Sequence, residues 1–294
     1  MSDTRQSHEP AAGGITNELV ILVGVGGATC SGKTTLAKQL RKILPDSIIV
    51  HQDDFAPPVD TLPMHPVYNI ADWDDPEGAI DWPRFAAFLQ QVKRTGVIPA
   101  NHNSHDHMNI QKEVSFDTAS IQSWKERFQV LQRERAVRVR WVLVDGFLLY
   151  WQKASVDALD IRFLLRVPRD VLLQRRIDRG SYFTADMSTA QEGEMWVDPP
   201  YYFDGIVYPA YVKAFGHLFE NGDVESGNLK PDTTVTSAAG RSSDGTHPES
   251  QTTGAPVPGL VLMDALKMSA DDLLDWACRE LVELFERRAP APGF

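Results

Sequence analysis

An α/β fold, with a parallel sheet covered by helices on both faces, is predicted from three features of this 294-residue chain. Leu19 to Val25 is a near-continuous apolar run, the pattern of a strand buried on both sides. Strand-like and helix-like segments then alternate, which is how a parallel sheet with crossover helices is built. Between the first strand and the first helix lies Gly27-Ala28-Thr29-Cys30-Ser31-Gly32-Lys33-Thr34, a loop of the kind that cradles phosphate groups.

Taken in order, residues 1 to 16 are polar and without periodicity, and are expected to form a disordered leader. Residues 17 to 294 are read as a single domain. Thr34 to Leu44 carries Leu36, Ala37, Leu40, Ile43 and Leu44 at helical spacing and stops before Pro45. Ser47 to Val50 is a short β-branched strand that empties into His51-Gln52-Asp53-Asp54-Phe55. Two carboxylates therefore stand at the carboxyl end of a strand, the edge where ligands bind in open α/β sheets. A proline-broken loop from Pro57 to Pro66 and the acidic run Asp72 to Glu77 lead to a helix over Trp82 to Thr95. Pro99 to Arg133 is polar and carries no assignable pattern. Arg138 to Val144 is a strand ending in Asp145-Gly146-Phe147, and Ile161 to Val167 is another, followed by a helix through Arg179. Ser181 to Pro200 has weak periodicity, and Tyr202 to Phe219 is aromatic and partly helical. Asn221 to Pro258, rich in Gly, Ser, Thr, Asp and Pro, is expected to be disordered. A strand at Leu260 to Met263 and a helix from Ala270 to Arg287, capped by Ser269, complete the chain.

Composition narrows the function. Lys and Arg number 29 against 40 Asp and Glu, a net charge of −11, which argues against nucleic acid or an anionic membrane as partner. No apolar run reaches the roughly 20 residues needed to span a bilayer, and the N-terminal residues lack a signal pattern. The two cysteines, Cys30 and Cys278, do not make a disulfide framework. A cytoplasmic location is expected.

The loop at 27 to 34 implies a P-loop NTPase-type sheet that binds ATP. Its backbone N–H groups would meet phosphate, Lys33 would reach the β- and γ-phosphates, and the Thr34 hydroxyl would ligate Mg2+. Asp145, ending an apolar strand, stands where such folds hold the metal directly or through water. Asp53 or Asp54 could accept a hydroxyl proton from an acceptor, and since neighbours on extended chain diverge, one of them should face the site. Arg166, Arg169, Arg175, Arg176 and Arg179 place five guanidiniums in a short stretch suited to a lid over phosphates. His102, His105 and His107 with Asp106 lack the spacing of a structural zinc site and read as a solvated loop. Trp73, Tyr201, Tyr202, Phe203 and Tyr208 could stack on a planar base or pack in the core.

Together these residues resemble the nicotinamide riboside kinases, a branch of the uridine kinase-like P-loop family. The resemblance is carried by residues 27 to 35, Gln52-Asp53-Asp54-Phe55, Trp73-Asp74, Asp145-Gly146-Phe147-Leu148-Leu149, Arg175-Arg176 with Arg179, and Tyr202-Phe203-Asp204-Gly205 with Pro209 and Tyr211. It implies transfer of the ATP γ-phosphate to the 5′-hydroxyl of nicotinamide riboside, and of nicotinic acid riboside. By position it makes Asp53, Lys33 and Arg176 catalytic. It assigns Gly27, Ala28, Thr29, Cys30, Ser31, Gly32, Lys33, Thr34 and Thr35, with Arg175 and Arg179, to ATP. Asp53, Asp54, Phe55, Trp73, Asp74, Arg176 and Tyr182 fall to the nucleoside, and Thr34, Asp53 and Asp145 to Mg2+. Asp145 stands where the family commonly has glutamate, and the segment from Ser181 to Pro200 is longer than the family's lid. A uridine or cytidine kinase, another small-molecule P-loop kinase, and a non-catalytic nucleotide-binding protein remain alternatives. A GTPase is disfavoured because no Asn-Lys-x-Asp guanine-reading block occurs.

Overall fold

The structure is a computed structural model that describes residues 17–104, 114–183, 195–234 and 254–290. Five parallel strands form the main sheet: β1 (Asn17–Gly27), β2 (Ser47–His51), β3 (Val137–Gly146), β4 (Ile161–Arg166) and β7 (Leu260–Asp264), in the order β2-β3-β1-β4-β7. Side chains alternate across it. Leu22, Val142, Val144 and Leu164 point into one core, with Phe85, Leu89, Tyr211 and Phe215 from helices α2 (Trp82–Thr95) and α6 (Tyr208–Phe215). Ile21, Val23, Leu143 and Phe163 point into the other, with Leu36, Phe128 and Leu281 from α1 (Lys33–Ile43), α3 (Thr118–Glu134) and α8 (Ala270–Arg288). The helices therefore lie on both faces, as the apolar runs predict.

Strand register decides what meets at the sheet's carboxyl edge. Asp145 of β3 is level with Val25 of β1 on one side and with His51 of β2 on the other. The loop that follows β1 and the turn that follows β2 are thereby brought beside Asp145. Between β3 and β4 runs a short helix α4 (Lys153–Ala158), and β4 feeds α5 (Arg169–Arg179).

Local chemistry places the helix ends. Asp81 caps α2 by accepting from Arg84 N, with Pro83 in the first turn and Gly96 left-handed at its end. Ser269 and Asp272 form a reciprocal capping box on α8.

Two expectations need correction. The unassigned stretch before β3 contains the 17-residue helix α3, capped by Asp117. Within it only Phe128 and Leu131 are buried, so the apolar stripe is too thin to read from sequence. The segment expected to be disordered is folded over 221–234 and 254–258, where Val224, Thr233 and Val257 are buried. A local bridge pairs Phe219 with Leu229, and a contact distant in sequence anchors the turn: Arg166 Nη1 donates to Gly227 O at 2.6 Å. The remainder of that segment, like the leader, lies outside the described residues. Among the described residues no helix is long and apolar enough to cross a membrane.

Candidate active site

The loop after β1 is shaped by backbone. Cys30 (φ 60°) and Gly32 (φ 99°) both take left-handed conformations, which turns the chain so that α1 begins at Lys33. Gly27 admits no side chain, because a Cβ there would lie 2.7 Å from Ser31 Oγ and 2.8 Å from Leu165 O. Arg175 fastens the loop from outside, donating from Nη1 to Cys30 O at 3.1 Å and to Ser31 O at 3.4 Å. The N-terminus of α1 supplies free N–H groups and the positive end of a helix, the requirement for binding phosphate.

The turn Gln52–Phe55 sits beside it. Gln52 is buried and its Oε1 accepts from Leu148 N at 2.9 Å, bolting the turn to the exit of β3. A side chain on Gly146 would collide with that glutamine. The paired carboxylates diverge, though not as neighbours on extended chain: they stand in the 3-10 turn, which leaves Asp53 exposed to the cleft and Asp54 2% exposed. Phe55 is buried at 1%, packed against Phe85, Phe88 and His102. Asp54 and Phe55, expected as nucleoside contacts, therefore support the turn from its buried side. His102 is no solvated residue; its ring covers Phe55 and its Nε2 lies 3.6 Å from Asp54 Oδ2. His105, His107 and Asp106 lie outside the described residues.

Asp53 and Asp145 share Lys33 but differ in proton affinity. The packed surroundings push Asp53 above the ordinary carboxylate range, Lys33 opposes, and the Asp145 charge adds to the rise. Because Asp53 is open to the cleft, this desolvation is felt fully once a bound acceptor covers it. Burial also pushes Asp145 up, but the His51 imidazole, Lys33 and the Thr34 hydroxyl outweigh it and hold Asp145 low. His51 Nδ1 meets Asp145 Oδ2 at 3.2 Å, while Asp145 Oδ1 is buried without a hydrogen-bond partner. An ionised oxygen left unsatisfied next to a hydroxyl and a second carboxylate is a hard donor set that fits Mg2+. Among the described residues no three His, Cys, Asp or Glu side chains gather as a metal cage.

A recess opens between this edge and α6, lined by Ala28, Thr29, Asp74, Phe147, Leu148, Val207, Ala210 and Tyr211. Asp74 is buried at its wall, its N–H donating to Asp72 Oδ1 at 3.0 Å and its Oδ2 accepting from the Tyr202 hydroxyl at 3.2 Å. Burial pushes Asp74 up to about 6, with Arg176 opposing. Arg176 is itself buried; it grips both oxygens of Asp198, donates from Nη1 to Thr29 Oγ1 at 3.1 Å, and lies over the Tyr202 ring. Trp196 Nε1 donates to Asp198 Oδ1 at 2.9 Å, and its ring packs against Tyr202. Trp73 is half-buried next to Asp74.

Two of the five arginines serve elsewhere: Arg166 binds Asp264 through Nε and Nη2, and Arg169 pairs with Asp204 at 2.5 Å. Arg179 is exposed in the last turn of α5, and Tyr182 lies in the strand β5 (Ser181–Phe183), paired with Trp196 of β6 (Met195–Val197). The residues between those strands are outside the described set. Asp198, Trp196 and the Tyr202 hydroxyl were not predicted as site groups. Nothing local marks Asp198, and only a search for a carboxylate to match the buried Arg176 would have found it.

Phosphate at the head of α1, with an acceptor hydroxyl brought to a carboxylate beside it, is the division of labour of a P-loop phosphotransferase. That is the class this fold and site define. Known relatives narrow it further. The chain is 38% identical over 214 residues to a nicotinamide riboside kinase of Eremothecium gossypii, covering 72% of this chain and 83% of that protein. It is 36% identical over 219 residues to the nicotinamide riboside kinase of Saccharomyces cerevisiae, covering 74% and 86%. Human nicotinamide riboside kinase 2 is 29% identical over 209 residues, covering 69% and 70%. No protein-family model matches the chain. The chain belongs to the nicotinamide riboside kinase family.

Proposed function

We propose that this protein transfers the γ-phosphate of ATP to the 5′-hydroxyl of nicotinamide riboside, and of nicotinic acid riboside, giving the mononucleotide used in NAD synthesis, in the cytoplasm. Family membership supports the acceptor. The observation that carries the chemistry is geometric: strand register sets Asp145 level with His51 at the sheet's carboxyl edge, the exposed Asp53 follows in the next turn, and Lys33 heads the helix after the neighbouring loop.

Asp53, accessible from the cleft, accepts the proton of the 5′-hydroxyl as that oxygen attacks. Residues 27 to 35 hold the triphosphate, with Lys33 drawing charge from the transferred group. Thr34, Asp53 and Asp145 are the residues that would hold Mg2+, which supplies charge neutralisation on the β- and γ-phosphates. Asp145 is one methylene shorter than the family's glutamate and would meet the metal directly or through water. Trp73 stacks on the pyridinium ring and Asp74 pairs with ribose hydroxyls or with the ring charge. Arg176 serves the nucleoside, Arg175 and Arg179 the nucleotide, and Tyr182 the lid near 175 to 200, whose closure excludes water.

Initial rates with Mg-ATP and a panel of nicotinamide riboside, nicotinic acid riboside, uridine, cytidine and pantothenate test this reading. The expected result is a kcat/KM for the pyridine nucleosides well above the rest. A preference for uridine or cytidine would overturn the acceptor and leave the transfer chemistry standing. No transfer to any acceptor would overturn both.

A further inference from the structure

The turn that carries Asp53 is held on its buried side by a residue from the polar stretch that follows α2. The ring of His102 stacks on Phe55, centroids 5.3 Å apart and planes 22° from parallel, and lies 4.6 Å from Phe88. Its Nε2 faces Asp54 Oδ2 at 3.6 Å, the two side chains being 10% and 2% exposed. Arg84 holds the same turn from α2: its guanidinium lies 5.0 Å from the Phe55 ring centre and donates to Asp54 O and Ala56 O at 3.2 Å each.

A buried carboxylate is costly unless a donor or cation faces it. Arg84 satisfies the backbone of the turn, and the His102 ring brings a nitrogen within ion-pair distance of the Asp54 carboxylate. Asp54 and Asp53 are consecutive in a single 3-10 turn, so a rotation that carried Asp54 toward water would swing Asp53 with it. We propose that His102 is a positioning residue for phosphate transfer, holding Asp54 and Phe55 so that Asp53 stays aimed at the acceptor hydroxyl. The inference rests on the role given above to Asp53.

Two variants separate the parts of this brace. His102→Phe keeps a ring to pack on Phe55 and Phe88 but removes the nitrogen that faces Asp54. His102→Gln keeps a donor and gives up the ring. With the full chain and Mg-ATP, kcat is expected to fall roughly tenfold in His102→Phe while both KM values stay within about twofold. In His102→Gln, kcat is expected to return to within about threefold of wild type. Unchanged kcat in His102→Phe overturns the proposal. So does a loss of activity shared equally by both variants and tracking a fall in Tm, since that would be packing alone. Amide hydrogen exchange across residues 52 to 56 gives a readout that needs no acceptor. Faster exchange in His102→Phe than in wild type and His102→Gln supports the brace, and equal exchange in all three overturns it. Failure of the acceptor reading would appear in the wild type itself, whereas failure of the brace appears only between wild type and variants.

Discussion

On the phosphate side of the cleft the groups proposed to bind come from one short run, Gly27 to Thr34, and largely from its backbone. On the side proposed for the nucleoside, Asp74, Arg176, Asp198 and Tyr202 converge from three separate segments, each held by a side chain of another. The first arrangement depends on two left-handed residues and a glycine that nothing larger can replace. The second is a chain of buried charges in which loss of one member leaves its neighbour uncompensated. Substitutions should therefore act locally on the first side and spread on the second.

The largest effect is expected where the two sides meet. Asp53→Ala should cut kcat by about a thousandfold while the ATP dissociation constant, read by fluorescence or calorimetry, stays near wild type. Weak ATP binding in that variant would mean that Asp53 belongs to the phosphate cradle instead. Next, Arg176→Ala should raise the nucleoside KM roughly tenfold or more, and Asp198→Asn should add less in that background than alone. Strictly additive effects would break the picture of a coupled network. By contrast, Arg175→Ala reaches only two carbonyls of the phosphate loop and should move the ATP KM without moving that of the nucleoside.

A smaller effect follows from Asp74, which titrates at about 6. Above that pH it is ionised and able to pair with the nucleoside. The nucleoside KM should climb as pH falls through about 6, and the ATP KM should not follow it. The same shift has a stability sign. Since the folded value exceeds the ordinary 3.8, protonated Asp74 favours the fold below that pH, and the advantage is lost as pH rises through about 6. Asp74→Asn should therefore raise Tm by a few degrees at pH 8 and leave it unchanged at pH 3.5, at the expense of nucleoside binding. An equal gain at both pH values would show that charge is not the cause.

The same contrast explains what could be read from sequence. Glycine positions, a lysine at the head of a helix and the apolar run before it are local signals, so the phosphate loop, the helix over Trp82 to Thr95 and the Asp53–Asp145 edge are legible. That the paired aspartates diverge is legible too, but not its cause: they stand in a 3-10 turn and not on extended chain, and the roughly 120° step between its residues turns one outward and the other inward. Asp198 and His102 are not, because each acquires its role from a partner far along the chain: Arg176 for one, Asp54 and Phe55 for the other. The fold of 221–234 is hidden for the same reason. Its composition reads as solvated loop, while Arg166, itself gripped by Asp264, supplies an anchor that no local window contains.

The row in which Val25, Asp145 and His51 stand level has a consequence for how faithfully the chain must fold. A slip of one residue between β1 and β3 would turn every β3 side chain to the opposite face of the sheet, Asp145 included. Such a molecule could retain much of its secondary structure and compactness while its carboxylate pointed into a core. Turnover per folded mole is thus a gauge of strand alignment that spectroscopy of secondary structure cannot provide. The loops between strands can lengthen freely, but residues inserted within β1 or β3 would be read by the chemistry at once.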